Sequence, residues 1–169
     1  MKFCYARRSA LPTAILGFAV LAMVSAPAFA TTQTTTFAVT ASVQGTCTIS
    51  ATGLSFGAYT GTALPGTSTI TVNCTGGTTY NVGLNPGTSS GATVTTRKMT
   101  GQYHGATLAY SLFSNIGMTT NWGQTVGTDT VAGTGTGVAV PLTVYGNIPA
   151  GTAPAADGYS DTITATITY

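Results

Sequence analysis

A glycine-flanked serine, one histidine and three aspartates are the residues that would first suggest catalysis. Gly87-Thr88-Ser89-Ser90-Gly91 has the Gly-x-Ser-x-Gly spacing of a nucleophile elbow, and His104 and Asp129 would complete a triad for acyl transfer. An elbow of that kind needs a strand before it and a helix after it. Here Asn85-Pro86 leads into a glycine- and serine-rich turn, no helical period follows, and no second general acid or base is at hand. The chain is therefore read as non-enzymatic. Gly133-Thr134-Gly135-Thr136-Gly137 lacks the lysine and the helix of a phosphate loop, so no cofactor is expected. Asn73-Cys74-Thr75 has the pattern of a glycosylation sequon, but its middle residue is a cysteine with other work to do.

That work is set by compartment. Lys2, Arg7 and Arg8 precede a mostly apolar stretch over residues 11–24, and Ala28-Phe29-Ala30 matches a small-x-small cleavage site, so residues 1–30 read as a signal peptide. Removing the first 30 of the 169 residues leaves 139, the size of one domain. Two cysteines remain, Cys47 and Cys74, and an even count in an exported chain reads as one disulfide. It would close a loop of roughly 28 residues and contribute about 3.5 kcal/mol on the chain-entropy model. Two thiols and the lone His104 do not make a zinc site, so no metal is expected.

Export also changes the charge. Arg97 and Lys98 then face Asp129, Asp157 and Asp161, a net of −1. Nucleic acid is excluded as a partner, because it demands several cationic phosphate contacts. No long apolar run follows residue 30, so no membrane span is expected in the mature protein. Threonine is the commonest residue and alternates with Val, Ile, Ala and Tyr, the composition of an all-β extracellular domain.

Alternation and turn signals place the elements. Candidate strands are residues 37–43, 47–50, 67–74, 79–84, 107–113, 137–145 and 159–169, with heavy Gly/Pro punctuation between them. Pro141 demotes the middle of its strand toward an edge or bulge. Arg97-Lys98 reads as a solvated turn, and Trp122 and the tyrosines read as core. Short strands with Gly/Pro turns indicate a β-sandwich. Two of the strands are peculiar. The first places Phe37, Val39, Ala41 and Val43 on one face, with only Gln44-Gly45-Thr46 between it and Cys47. The last is the most regular amphipathic strand, with Ile163, Ala165, Ile167 and Tyr169 in phase and no strand beyond it. A sandwich whose last strand lacks a neighbour exposes an apolar groove and an open row of backbone donors and acceptors.

Gly158-Tyr159-Ser160-Asp161-Thr162-Ile163-Thr164-Ala165-Thr166-Ile167-Thr168-Tyr169 resembles the closing signature of spore coat protein U domains. Val144-Tyr145-Gly146-Asn147-Ile148-Pro149-Ala150-Gly151 resembles the motif that precedes it. Leu54-Ser55-Phe56-Gly57, Val72-Asn73-Cys74, Leu108-Ala109-Tyr110-Ser111-Leu112 and Trp122-Gly123 extend the likeness over the mature chain, in order. That family includes pilins of archaic chaperone–usher fimbriae. The resemblance implies an incomplete immunoglobulin-like β-sandwich lacking its last strand. Residues 31–46 would be an N-terminal donor-strand extension and residues 47–169 the pilin domain. A periplasmic chaperone would hold such a subunit, an outer-membrane usher would assemble it, and a neighbouring subunit's extension would complete it by strand addition.

On this reading Phe37, Val39, Ala41 and Val43 are the donor side chains, and Ile163, Ala165, Ile167 and Tyr169 help line the acceptor groove. The protein would pass through the periplasm to a cell-surface fimbria serving surface attachment or biofilm formation. The alternative is a secreted coat-type structural protein of the same fold that does not polymerise by strand exchange, its first strand pairing within its own domain.

Overall fold

A computed structural model describes residues 27–169; most of the expected signal peptide, residues 1–26, lies outside the described residues. The chain forms two units, Met1–Thr40 and Ala41–Tyr169. Within the first, residues 27–40 carry no regular secondary structure and are exposed throughout. All the strands described belong to the second: β1 (Cys47–Ala51), β2 (Leu64–Cys74), β3 (Thr79–Leu84), β4 (Arg97–Gly101), β5 (Thr107–Phe113), β6 (Val131–Thr134), β7 (Val140–Ile148), β8 (Tyr159–Ser160) and β9 (Ala165–Thr168). Among the described residues no helix is long and apolar enough to cross a membrane.

The strands form two antiparallel sheets, one in the order β1-β2-β7-β5-β4-β8 and one in the order β6-β3-β9. The larger sheet contributes Ile70, Val72, Leu108, Leu112 and Val144 to the core, and the smaller contributes Tyr80, Val82 and Leu84. In β5 the in-phase residues Leu108, Tyr110 and Leu112 are buried while Thr107 and Ala109 are exposed, the two-residue alternation of a sheet with one dry face. The result is the expected all-β sandwich. Cys47 and Cys74 stand directly opposite each other at the end of the β1–β2 ladder and are joined by the disulfide.

Three local expectations are corrected, and the one for Pro141 is met. Residues 37–43 form no strand; an extended ribbon is stabilised by a ladder partner, and this one remains solvated, with Phe37, Val39 and Val43 at 84, 84 and 85% exposure. The terminal strand is broken, β8 pairing with β4 in the large sheet and β9 with β3 in the small one. Pro141 lies in β7, an interior strand, but β5 pairs only with residues 145–147 of it, so β7 has β2 alone as neighbour around the proline. That stretch is locally edge-like, which is where a missing N–H is tolerated. Finally, Arg97 is not a solvated turn residue: it opens β4 and is fully buried.

Arg97 explains how the two sheets are held in register. Its Nε donates to the carbonyl of Asn85 (3.0 Å) and Nη1 to that of Val94 (2.7 Å). Nη2 donates to the carbonyls of Leu84 (2.9 Å) and Trp122 (2.8 Å). One guanidinium in the larger sheet thus ties down the end of β3 in the smaller sheet and the segment carrying Trp122. Trp122 returns the tie by donating Nε1–H to the carbonyl of Val82 at 2.8 Å. Burial lowers the Arg97 pKa, opposed by the nearby Tyr110, Asp129 and Asp161, but a guanidinium keeps its charge in a protein. Charge-assisted bonds to four carbonyls offset its desolvation.

Asp161 explains the break between β8 and β9. Its Oδ1 accepts from the N–H groups of Thr88 and Thr162 and from the Thr88 hydroxyl, each at 2.8 Å. Its Oδ2 accepts from the Tyr110 hydroxyl at 2.6 Å. Gly87, with φ +94, presses against the carboxylate, and a Cβ there would occupy the carboxylate's own space. Residues 161–163 therefore leave the ladder, and Thr164 rejoins at Asn85, its N–H donating to Asn85 Oδ1 at 2.9 Å and its carbonyl accepting the Asn85 N–H at 3.1 Å. Partial burial of Asp161 disfavours ionisation, but the hydrogen bonds from Tyr110, Thr88 and Thr162 outweigh it and hold the pKa below the ordinary 3.8.

Two outcomes follow from these ties. Arg97→Met leaves four carbonyls, two of them fully buried, without this donor and should cost about 3 kcal/mol in urea unfolding; Arg97→Lys, which cannot span the same four acceptors, should recover only part of it. A lowered folded-state pKa means that Asp161 stabilises fully above its unfolded value near 3.8 and loses this contribution as pH falls through the folded value. Asp161→Asn should be less stable at neutral pH and show a shallower loss of stability below about pH 4 in acid titration followed by tyrosine fluorescence.

Candidate functional site

The catalytic residues considered above are not brought together. Ser89 accepts a hydrogen bond from Thr100 Oγ1 at 3.2 Å, His104 Nδ1 lies 3.4 Å from Asp157, and Asp129 accepts the N–H of Thr125 at 2.7 Å. Each has a different partner and a local structural task. What the fold builds instead is a groove with an apolar floor.

The groove opens between two stretches without ladder partners on its side. One rim follows β1, from Ala51 through Leu54 and Phe56 toward Gly61; the other runs from Thr152 through Tyr159, Asp161 and Ile163 to Ala165. It consists of a cavity of about 390 Å³ and an adjoining one of about 810 Å³. The smaller is floored by the core itself, with Ile70, Leu84, Tyr110, Leu112 and Val144 at its base. The larger is floored by Leu108 and Ile148. Both are bounded by Leu54, Phe56, Met99 and Tyr159, which stand where they meet.

Paired glycines make the first rim possible. Gly66 on β2 and Gly146 on β7 are direct partners across the ladder. A Cβ on Gly66 would come within 3.0 Å of the Phe56 ring, and one on Gly146 within 2.8 Å of both Leu54 and Phe56. The two missing side chains leave a seat in the sheet for Leu54 and Phe56, and Phe56 meets Tyr110 edge-on with ring centroids 6.2 Å apart. At the far end of the larger cavity the rims are tied. Tyr59 donates its hydroxyl to the carbonyl of Pro149 at 2.7 Å and accepts from Thr152, and Gly151 N–H reaches the carbonyl of Gly61 at 3.0 Å. At the opposite end β1 and β9 approach each other.

Electrostatically the groove is almost neutral. Asp161 is the carboxylate of the smaller cavity, already saturated by its four donors. Burial and the Asp161 carboxylate push the Tyr110 phenol far above its ordinary range, so it stays a neutral donor. The larger cavity adds Asp157, which accepts the N–H groups of Tyr103, His104 and Gly158. A ligand here would meet an apolar floor and polar groups along the rims.

Of the residues expected to line a groove, Ile163 and Ala165 face the smaller cavity. Ile167 is half-buried against the core and Tyr169 is 61% exposed, and neither borders the two cavities, because β9 by then runs along β3 toward the β1 end. Phe37, Val39, Ala41 and Val43 are all exposed, the first two in one unit and the last two in the other. The reading of the sequence missed Leu54, Phe56, Met99 and Tyr159 as groove residues. Leu54 and Phe56 alternate about Ser55 and follow the first strand, a signal that was available; Met99 was hidden by the misreading of β4.

The comparisons with known proteins agree with this architecture. The profile of the Spore Coat Protein U domain matches residues 33–166. Protein U of Myxococcus xanthus is 35% identical over 179 aligned residues, covering 95% of this chain and 99% of that protein. A chain in the crystal structure of the CsuC–CsuE chaperone–tip adhesion subunit pre-assembly complex, from archaic chaperone-usher Csu pili of Acinetobacter baumannii, superposes with a TM-score of 0.56 at 25% identity. That superposition covers 75% of this chain and 40% of the Csu chain, so the present fold spans less than half of its solved counterpart. These likenesses are to structural proteins, and the chain is a structural, non-enzymatic one. With the profile, the full-length relative and the sandwich in agreement, the chain belongs to the spore coat protein U domain family.

Proposed function

We propose that this protein is a subunit of a chaperone–usher pilus that polymerises by donor-strand complementation. The observation that carries the reading is the apolar-floored groove between residues 51–61 and 152–165, in a chain whose leading segment presents Phe37, Val39, Ala41 and Val43 to solvent on alternate positions. A strand laid in the groove pairs its backbone with the rims and sinks every second side chain into the floor. Nine residues, 35–43, span roughly 30 Å, the length of a sandwich edge.

The floor residues of the smaller cavity are themselves no more than 5% exposed, so an incoming strand must part the rims before it seats. Both rims suit that: residues 52–63 and 161–163 lie outside the ladders. Such a subunit needs a periplasmic chaperone to hold its groove and an outer-membrane usher to order the exchange. The Csu complex, which pairs a chaperone with a pilus subunit, supports the first of these partners. The finished fibre would stand on the cell surface and serve attachment or biofilm formation.

The family description favours one second reading, a secreted coat protein of the same fold that does not exchange strands. Deleting residues 31–44 separates the two. Co-expressed with the matching chaperone and then released from it, the full chain should form an SDS-resistant ladder on unboiled gels, and the deletion should abolish the ladder while far-ultraviolet circular dichroism stays β-type. A stable monomer with residues 31–46 protected from protease would overturn the pilus reading.

A further inference from the structure

The two cavities meet where four large side chains converge: Leu54 and Phe56 from one rim, Tyr159 from the other, and Met99 from β4. Leu54 and Phe56 are seated over Gly66 and Gly146, in a space so closely filled that a Cβ on either glycine would come within 3.0 Å of Phe56. Tyr159 is anchored by its hydroxyl, which donates to the carbonyl of Ala155 at 2.8 Å. These four side chains therefore mark the one place where the two cavities adjoin, with room on either side. The leading segment has a matching irregularity. Of its four in-phase residues, Phe37, Val39 and Val43 are large and Ala41 is small.

We infer that Ala41 sets the register of strand addition, docking at the junction formed by Leu54, Phe56, Met99 and Tyr159 of a second copy of this chain. The inference rests on the strand-exchange reading above and assigns its specificity. Alternate residues on a strand repeat at about 6.7 Å, so the four side chains span about 20 Å. With Ala41 at the junction, Val43 falls into one cavity and Val39 and Phe37 into the other. This assignment of Ala41 is the same for either strand direction, since the two directions only exchange which cavity takes the phenylalanine. A slip of two residues would drive Val39 or Val43 against the four bulky groups and leave a void where the larger side chain had been.

Register is read by cysteine pairs in the full chain, since a disulfide forms only when the two Cβ atoms come within about 4.5 Å. Leu54→Cys is combined in turn with Phe37→Cys, Val39→Cys, Ala41→Cys and Val43→Cys, and intermolecular bands are followed on non-reducing gels after release from the chaperone. Cross-linking from position 41 above the other three supports the assignment; strongest cross-linking from 37, 39 or 43 overturns it while strand exchange stands. Cross-linking from none of them, with no ladder from the unmodified chain, overturns both. Independently, Ala41→Leu should lower polymer yield roughly tenfold or more by overfilling the junction, whereas Thr40→Leu on the opposite face should not. Wild-type polymerisation of Ala41→Leu would refute the inference.

Discussion

The guanidinium of Arg97 lies buried between two sheets, and all its bonds among the described residues go to main-chain carbonyls. A cation in that position is tolerable only if the carbonyls of Leu84, Asn85, Val94 and Trp122 stay where they are, so the constraint acts in both directions. It holds the end of β3 against β4 and thereby fixes the separation of the sheets at the floor of the groove. Trp122, bonded back to Val82, and Tyr110, bonded to Asp161, extend the same polar seam. Such a seam specifies geometry in a way apolar packing does not, because a half-satisfied network is worse than none.

That rigidity has a use in a sandwich with an open side. An apolar groove left without a lid tends to collapse, since its walls gain by touching. Here the floor is pinned by hydrogen bonds, the first rim is seated over a pair of glycines, and the second is held off its ladder by the four bonds to Asp161. The rims are joined at the Tyr59–Thr152 end and approach each other again where β1 meets β9. The polar ties thus fix the floor and the positions of the rims, while the floor side chains stay covered until the rims part.

Much of this was legible in the residue order. Alternation located β1, β2, β3, β5 and β7 to within a few residues, and cysteine counting gave the disulfide. Two strands escaped for physical reasons. β4 turns Arg97 inward, so its buried face reads as polar; β6 lies in a Gly/Thr run where Gly133 has no side chain because the Tyr80 ring fills that space. The break between β8 and β9 was hidden because Ile163, Ala165 and Ile167 keep their inward phase through it while the backbone changes sheets. Periodicity reports which way a side chain faces, not which backbone it pairs with.

The motifs that carry the family resemblance also become physical in this light. Phe56 of one motif packs over Gly146 of another; Tyr110 of a third donates to Asp161 of the closing signature; and the Trp122 carbonyl accepts from Arg97, which lies in none of them. These residues lie far apart in the chain and meet only around the groove and the seam beneath it. A sandwich that needed nothing but a packed core would place no such demand on a glycine at 146 or a carboxylate at 161, since neither adds apolar area. Their common effect is to shape one edge of the molecule, where a neutral, apolar floor lies beneath two rims that are tied by side chains rather than by a continuous ladder.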